Sequence, residues 1–192
     1  MLDIAGIHLN QYAHEEAGSC PSGCVATALV QIMAYHKYPQ QGVDSHCYTD
    51  NKYGEQCADF EHTTYNWNQP TDDDFKLLSR QVGVAMEMQY CFDSNGSAPG
   101  ASNYISNFSQ HFAYHVIQIH NPKNEYVYME LNQGRPMYLE LWGNPGHALV
   151  IDGYDTNGFL HLNFGWGGSY DGYFLMNTNS TLEGLNYGTN MA

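Results

Sequence analysis

The spacing of apolar residues changes period once along this chain, and that change restricts the fold more than any other feature. In the first part the apolar positions recur at helical intervals; in the last third they come in short strand-like runs. Residues 23–38 carry Val25, Ala28, Leu29, Ile32, Met33 and Tyr35 at helical spacing, and the Tyr38–Pro39 pair stops that helix. The acidic run "TDDD" at 71–74 caps a second predicted helix, "DFKLLSRQVGVAME", and a third is expected around "ASNYISNFSQHF". Residues 40–70 read as a polar, Tyr- and Asn-rich loop, and "CFDSNGSAPGASN" as a Gly-, Ser- and Pro-bearing one. From "YHVIQI" onward short apolar strands follow: "PMYLELW", "HALVIDGY", "FLHLNF" and "GYFLM", with hairpin chemistry in the "DTNG" between the middle pair. Helices first and an antiparallel sheet afterwards make an α+β fold.

The 192 residues suffice for one domain with a sizeable core. The expected organisation is a single domain over 1–192, with a helical lobe over about 1–112 and a β-rich lobe over about 113–192. An apolar share of 43% is ordinary for a globular chain. Six Lys and Arg stand against twenty Asp and Glu, a formal charge of −14, so phosphate backbones and anionic membrane surfaces would be repelled. No nucleic-acid partner is expected. No stretch approaches the ~18 apolar residues of a membrane span. The start, "MLDIAGIHLNQ", has neither the basic head nor the apolar run of a signal peptide, which leaves export open for a trimmed mature form.

There are five cysteines: Cys20, Cys24, Cys47, Cys57 and Cys91. One thiol plus two bridges is the simplest oxidised arrangement, and four bridged cysteines allow three connectivities. Cys47 and Cys57 flank a polar "YTDNKYGEQ" that reads as a stapled loop. No C-x-x-C pair suggests zinc. The loop and the lysine-poor, Tyr-, Asn- and Gly-rich surface favour an oxidising compartment over a cytosol full of reduced thiols.

Cys24 is singular in its position. It follows the flexible Ser22–Gly23 pair and stands at the first turn of the predicted helix. The first N–H groups of a helix have no intrahelical partners, and their partial positive charge favours a thiolate. That is the setting of a nucleophile, although cysteine is also among the most buried residue types. A nucleophilic thiol needs a base, often remote in sequence. Of ten histidines, His8, His14, His46 and His62 sit in polar segments, His36 and His111 in predicted helices, and His115, His120 and His161 in or near strands. His147 differs: after Pro145 and Gly146 it begins a strongly apolar strand, a rigid mount with room beside it for a substrate backbone. If 147–152 and 159–163 pair through "DTNG", Asn163 lies across from the start of the first strand and near His147, with Phe164 and Trp166 supplying an aromatic shield.

The blocks "GCVATALVQIMAYHKYP", "GHALVIDGY" and "LNFGWGGSYDGYF", with "GIHLNQY" before them, occur in an order that resembles the streptopain family of bacterial cysteine peptidases, papain-like in fold. The likeness spans nearly the whole chain. It implies the nucleophilic helix start packed against a C-terminal antiparallel sheet. By that resemblance Cys24 is the nucleophile, His147 the base, and Gln11 an oxyanion donor with the Cys24 backbone N–H. Asn163 would sit beside His147 and Trp166 in the aromatic wall. Ser97 in "NGSAPG" would belong to a substrate-contacting loop, and Gly146 would give a backbone contact next to the base. The resemblance further implies protein or peptide substrates with an apolar P2 residue, export to the medium, cell surface or periplasm, and synthesis with a signal and a prosegment. The prosegment or a family-type inhibitor would be a partner. Two departures stand out: the stretch from Gln11 to Cys24 is short and holds Cys20, and Phe164 replaces the family's first Trp. A Cys20–Cys91 bridge would tie two segments near the site, but the sequence does not establish it.

The chemistry so implied is amide hydrolysis through a thioester acyl-enzyme, with no metal or organic cofactor. Transpeptidation or transamidation would use the same machinery. A catalytically inert peptidase-like binding or inhibitory module is the alternative from another class, and a structural α+β domain is the plainest. Asp152 to Gly158 lacks the spacing and terminal Glu of a calcium loop, so a hairpin turn is expected. His111 and His115 at i, i+4 lack the Glu of a zinc motif.

Overall fold

The computed structural model describes residues 20–93, 96–143 and 146–175, and strand backbone at 181–182, 185–186 and 188–191. The described residues fall into two compact units, the first ending at Val116 and the second beginning at Ile117.

In the first unit, α1 (Cys24–His36) is buried along most of its length from Val25 to Met33 and packs against α2 (Asp72–Ala85). Gly23 is the N-cap of α1 at φ +89°, and Lys37 ends the helix in the left-handed region just before Pro39. The Thr71 and Asp74 side chains bond each other's backbone N–H groups, so the expected acidic cap of α2 is a full capping box. The third helix, α3 (Tyr104–Phe112), buries Ile105, Phe108, His111 and Phe112.

The stretch expected to be loop over 40–70 instead holds a hairpin of β1 (Ser45–Asp50) and β2 (Gly54–Asp59). Its strands are polar because one face is solvated. What holds it is the buried Asp50 carboxylate, which accepts N–H bonds from Lys52 and Tyr53 in the turn and from Tyr90. The second expected loop holds a ladder too, β3 (Met88–Asp93) with β4 (Gly96–Pro99). Cys47 faces Cys57 across β1 and β2, and the two are bridged; Cys20 is bridged to Cys91 of β3.

The second unit contains β5 (Ile119–His120), α4 (Asn124–Asn132), β6 (Met137–Trp142), β7 (His147–Tyr154), β8 (Leu160–Asn163) and β9 (Gly172–Phe174). Further strands are β10 (Thr181–Leu182), β11 (Leu185–Asn186) and β12 (Gly188–Met191). The main sheet runs β5-β12-β6-β7-β8-β9 with antiparallel neighbours. Its core is a cluster of Leu139, Leu141, Leu149, Ile151, Leu160, Leu162 and Phe164, covered by Val127 and Leu131 of α4. Neither α4 nor the shortness of β5 was expected from the sequence; α4 buries only two residues, too few for a periodic signal. The "DTNG" turn forms as expected, with Asp155 Oδ1 accepting from the Asn157 and Phe159 N–H groups. Among the described residues no helix is long and apolar enough to cross a membrane.

Candidate active site

Cys24 is the first residue of α1 and takes part in neither disulfide. It is half-buried. Gly23 before it adopts a backbone conformation that side chains rarely permit, and a Cβ there would lie 2.5 Å from Met88 Cε and 2.7 Å from the Ser97 carbonyl oxygen. The turn into α1 therefore passes hard against the β3–β4 hairpin. The Gly23 carbonyl accepts from both the Thr27 N–H and the Thr27 hydroxyl, fixing the first turn.

Ser97 belongs to this same packing. Its hydroxyl donates to the Pro21 carbonyl at 2.7 Å and accepts from the Cys91 N–H at 3.2 Å, and the residue is buried. Together with the Cys20–Cys91 bridge it fastens the segment before the thiol to the hairpin. The Ser97 side-chain proton is thus spent inside the protein.

The second unit carries His147, Asn163, Trp166 and Gly146. His147 opens β7 opposite Leu141 of β6. Its Nε2 lies 3.0 Å from the Phe164 carbonyl oxygen. A carbonyl only accepts, so Nε2 carries the proton and Nδ1 of the neutral ring is left with a lone pair. The ring stacks on Phe164 at 5.6 Å and 14°, and meets Trp166 tilted, at 4.5 Å and 37°. Burial holds its pKa below the ordinary histidine value, and the Phe164 carbonyl offsets part of that effect.

Asn163 stands across from Val150, three residues along β7 from His147. Its Oδ1 accepts from the Gly165 N–H at 2.9 Å. That N–H belongs to the same peptide group as the Phe164 carbonyl. Asn163 is therefore joined to His147 through one peptide unit, an arrangement that has no signature in residue types. Trp166 is exposed and meets Tyr170 edge-on. Gly146 is exposed just before His147, and a Cβ there would press the Leu141 carbonyl at 3.2 Å. Gln11 lies outside the described residues.

The chain matches the Peptidase C10 family over residues 7–174. It is 36% identical to streptopain of Streptococcus pyogenes, an alignment that covers 92% of this chain and 55% of streptopain. It is 32% identical to the thiol protease/hemagglutinin PrtT of Porphyromonas gingivalis over 81% of this chain and 20% of that protein. The active wild-type interpain A cysteine protease of Prevotella intermedia superposes with a TM-score of 0.78 at 29% identity, covering 97% of this chain and 88% of interpain A. The present chain spans about half the length of the streptopain it matches. The fold is the papain-like α+β fold of these proteases. On the match of its sequence and of its fold, the chain belongs to the Peptidase C10 family of cysteine peptidases.

Proposed function

We propose that this chain is an exported bacterial cysteine endopeptidase in which Cys24 attacks the peptide carbonyl and His147 moves the protons. The observation that carries the reading is the position of Cys24: of five cysteines, four are bridged and the remaining one begins a helix. A thiolate gains from the partial positive charge at a helix start. The His147 tautomer suits the partner role, because its Nδ1 lone pair is the atom that accepts the thiol proton.

In the proposed reaction a bond forms between Cys24 Sγ and the carbonyl carbon, and the charge moves to the carbonyl oxygen. The Cys24 N–H and the Gln11 side chain donate to that oxygen. The C–N bond then breaks as His147 Nδ1–H protonates the leaving amine. Water, deprotonated by the same nitrogen, adds to the thioester carbonyl, and the C–S bond breaks to free the acid and return the Cys24 thiolate. Asn163 steadies the imidazole and Trp166 shields it. Ser97 and Gly146 line the peptide's path through main-chain groups. Two bridges in a small chain support export. An apolar P2 residue and maturation from a prosegment come with the family resemblance.

The test is a peptide-library and casein digest under reductant beside Cys24→Ala, with an epoxysuccinyl label as the second readout. Hydrolysis abolished in the variant and a label on Cys24 alone are expected. Losing Gln11 should cost about 10²–10³ in turnover. Undiminished cleavage by the variant, or a label on another residue, overturns the assignment; a folded, reduced and inert parent protein would point to a binding module.

A further inference from the structure

Phe164 holds His147 twice, by its carbonyl oxygen on Nε2–H and by its ring face. What holds Phe164 is then part of how the imidazole is aimed. The residue is the last before a turn in which Gly165, Gly167, Gly168 and Tyr170 all have left-handed φ, between 65° and 86°. Such a turn has little stiffness of its own, because glycine gains nothing from its side chain. It closes at Asp171, whose Oδ1 accepts from the Phe164 N–H at 2.8 Å. The next residue, Gly172, is already in register with Leu162 across β8 and β9. Asp171 thus ties the free end of Phe164 to the sheet edge with a charge-assisted bond.

We infer that Asp171 is a positioning residue for His147, acting through the Phe164 main chain to fix the tautomer and orientation of the imidazole. It acts through the bond, since it is the Phe164 N–H that donates to Asp171 Oδ1 and the Phe164 carbonyl that meets the imidazole. Burial raises the pKa of the Asp152 carboxyl on β7, its bond to His161 Nδ1 at 2.5 Å opposes this, and the Asp171 charge adds the smallest upward push. The inference rests on the reading of His147 as the base, and its test has a readout that needs no turnover.

In a Cys24→Ala background at alkaline pH, where the ring is neutral, 15N NMR reports which His147 nitrogen carries the proton. The Nε2–H tautomer is expected there and with Asp171→Asn, whose carbonyl oxygen still accepts from Phe164. Asp171→Ala should give a mixture of tautomers. With Cys24 intact, Asp171→Ala should lower kcat about tenfold with KM little changed, and Asp171→Asn should stay within about threefold of the parent. A folded Asp171→Ala protein with one Nε2–H tautomer and parental kcat overturns the inference. Should the alanine variant fail to fold, Asp171→Asn decides alone: a tenfold loss of kcat with the tautomer kept would mean that charge, not the bond to Phe164, is what matters. If His147→Ala retained activity, the base assignment would fall while the tautomer measurement still judged Asp171.

Discussion

Gly23 shows how much of the candidate site depends on a missing side chain. At φ +89° it is in a region that L residues enter only at a cost of about 1–3 kcal/mol. The neighbours add to this. Met88 Cε, 2.5 Å from where a Cβ would sit, is the end of a flexible side chain and can move. The Ser97 carbonyl at 2.7 Å is main chain, held by the Ser97 hydroxyl on Pro21 and by the nearby disulfide, and cannot move cheaply. Gly23→Ala should therefore destabilise the protein by more than the backbone cost alone, read as a lowered urea midpoint. Because relief requires the first turn of α1 or the hairpin to shift, epoxysuccinyl labelling of Cys24 should slow in the same variant. A variant as stable and as reactive as the parent would mean that the hairpin does not press on the turn into α1.

At the scale of elements, the two disulfides differ in what they join. Cys47–Cys57 links directly opposed residues of one hairpin, 10 apart in sequence; Cys20–Cys91 joins the entry to α1 with β3 across 71 residues. Loop-closure entropy rises with the logarithm of that separation, so removing the longer link should cost about 2 kcal/mol more. Urea midpoints of the paired variants Cys20→Ala with Cys91→Ala, and Cys47→Ala with Cys57→Ala, give the comparison. Equal losses would mean that the β3–β4 hairpin is held without its bridge. These elements also mark the limit of reading by pattern. The helices α2 and α3 announce themselves by an apolar face at helical spacing and the β7–β8 hairpin by its "DTNG" turn, whereas α1 shows the same spacing but is buried at every position from Val25 to Met33, Thr27 and Gln31 included. The β1–β2 hairpin does not announce itself, since its stability lies in the Asp50 carboxylate and a disulfide rather than in an apolar stripe. In the candidate site, Cys24 and His147 stand out by their places at a helix start and a strand start. The contact that aims His147 is a carbonyl, which every residue possesses, and Asp171 was legible only as a residue beside a glycine-rich turn.

The charge of the whole molecule, −14 at neutral pH, means that mild acidification relieves self-repulsion, while individual buried groups push in both directions. His111 and His147 are held by burial below the usual histidine value of 6.5. For them the unfolded chain binds protons more readily, so the stability they leave intact at neutral pH is lost as pH falls through 6.5 toward their lower folded values. Glu140 on β6 has the opposite sign. Burial raises its pKa from 4.5 to about 6, so the folded state holds the proton more tightly and is penalised once that carboxyl ionises. Stability from this group is complete below about 4.5 and lost as pH rises through about 6. Glu140→Gln isolates it, because the amide oxygen can still accept from the Tyr138 hydroxyl, which lies 2.7 Å from Oε1. The variant should be more stable than the parent at neutral pH by roughly 2 kcal/mol at the upper end, the side chain being partly solvated. Its advantage should fade as pH is lowered toward 4.5, and with the Glu140 offset gone the histidine losses on acidification should appear more steeply in its pH profile. Urea unfolding of both proteins at several pH values checks the sign. An advantage that is the same at pH about 5 and at neutrality would show that a group other than the Glu140 carboxyl is responsible.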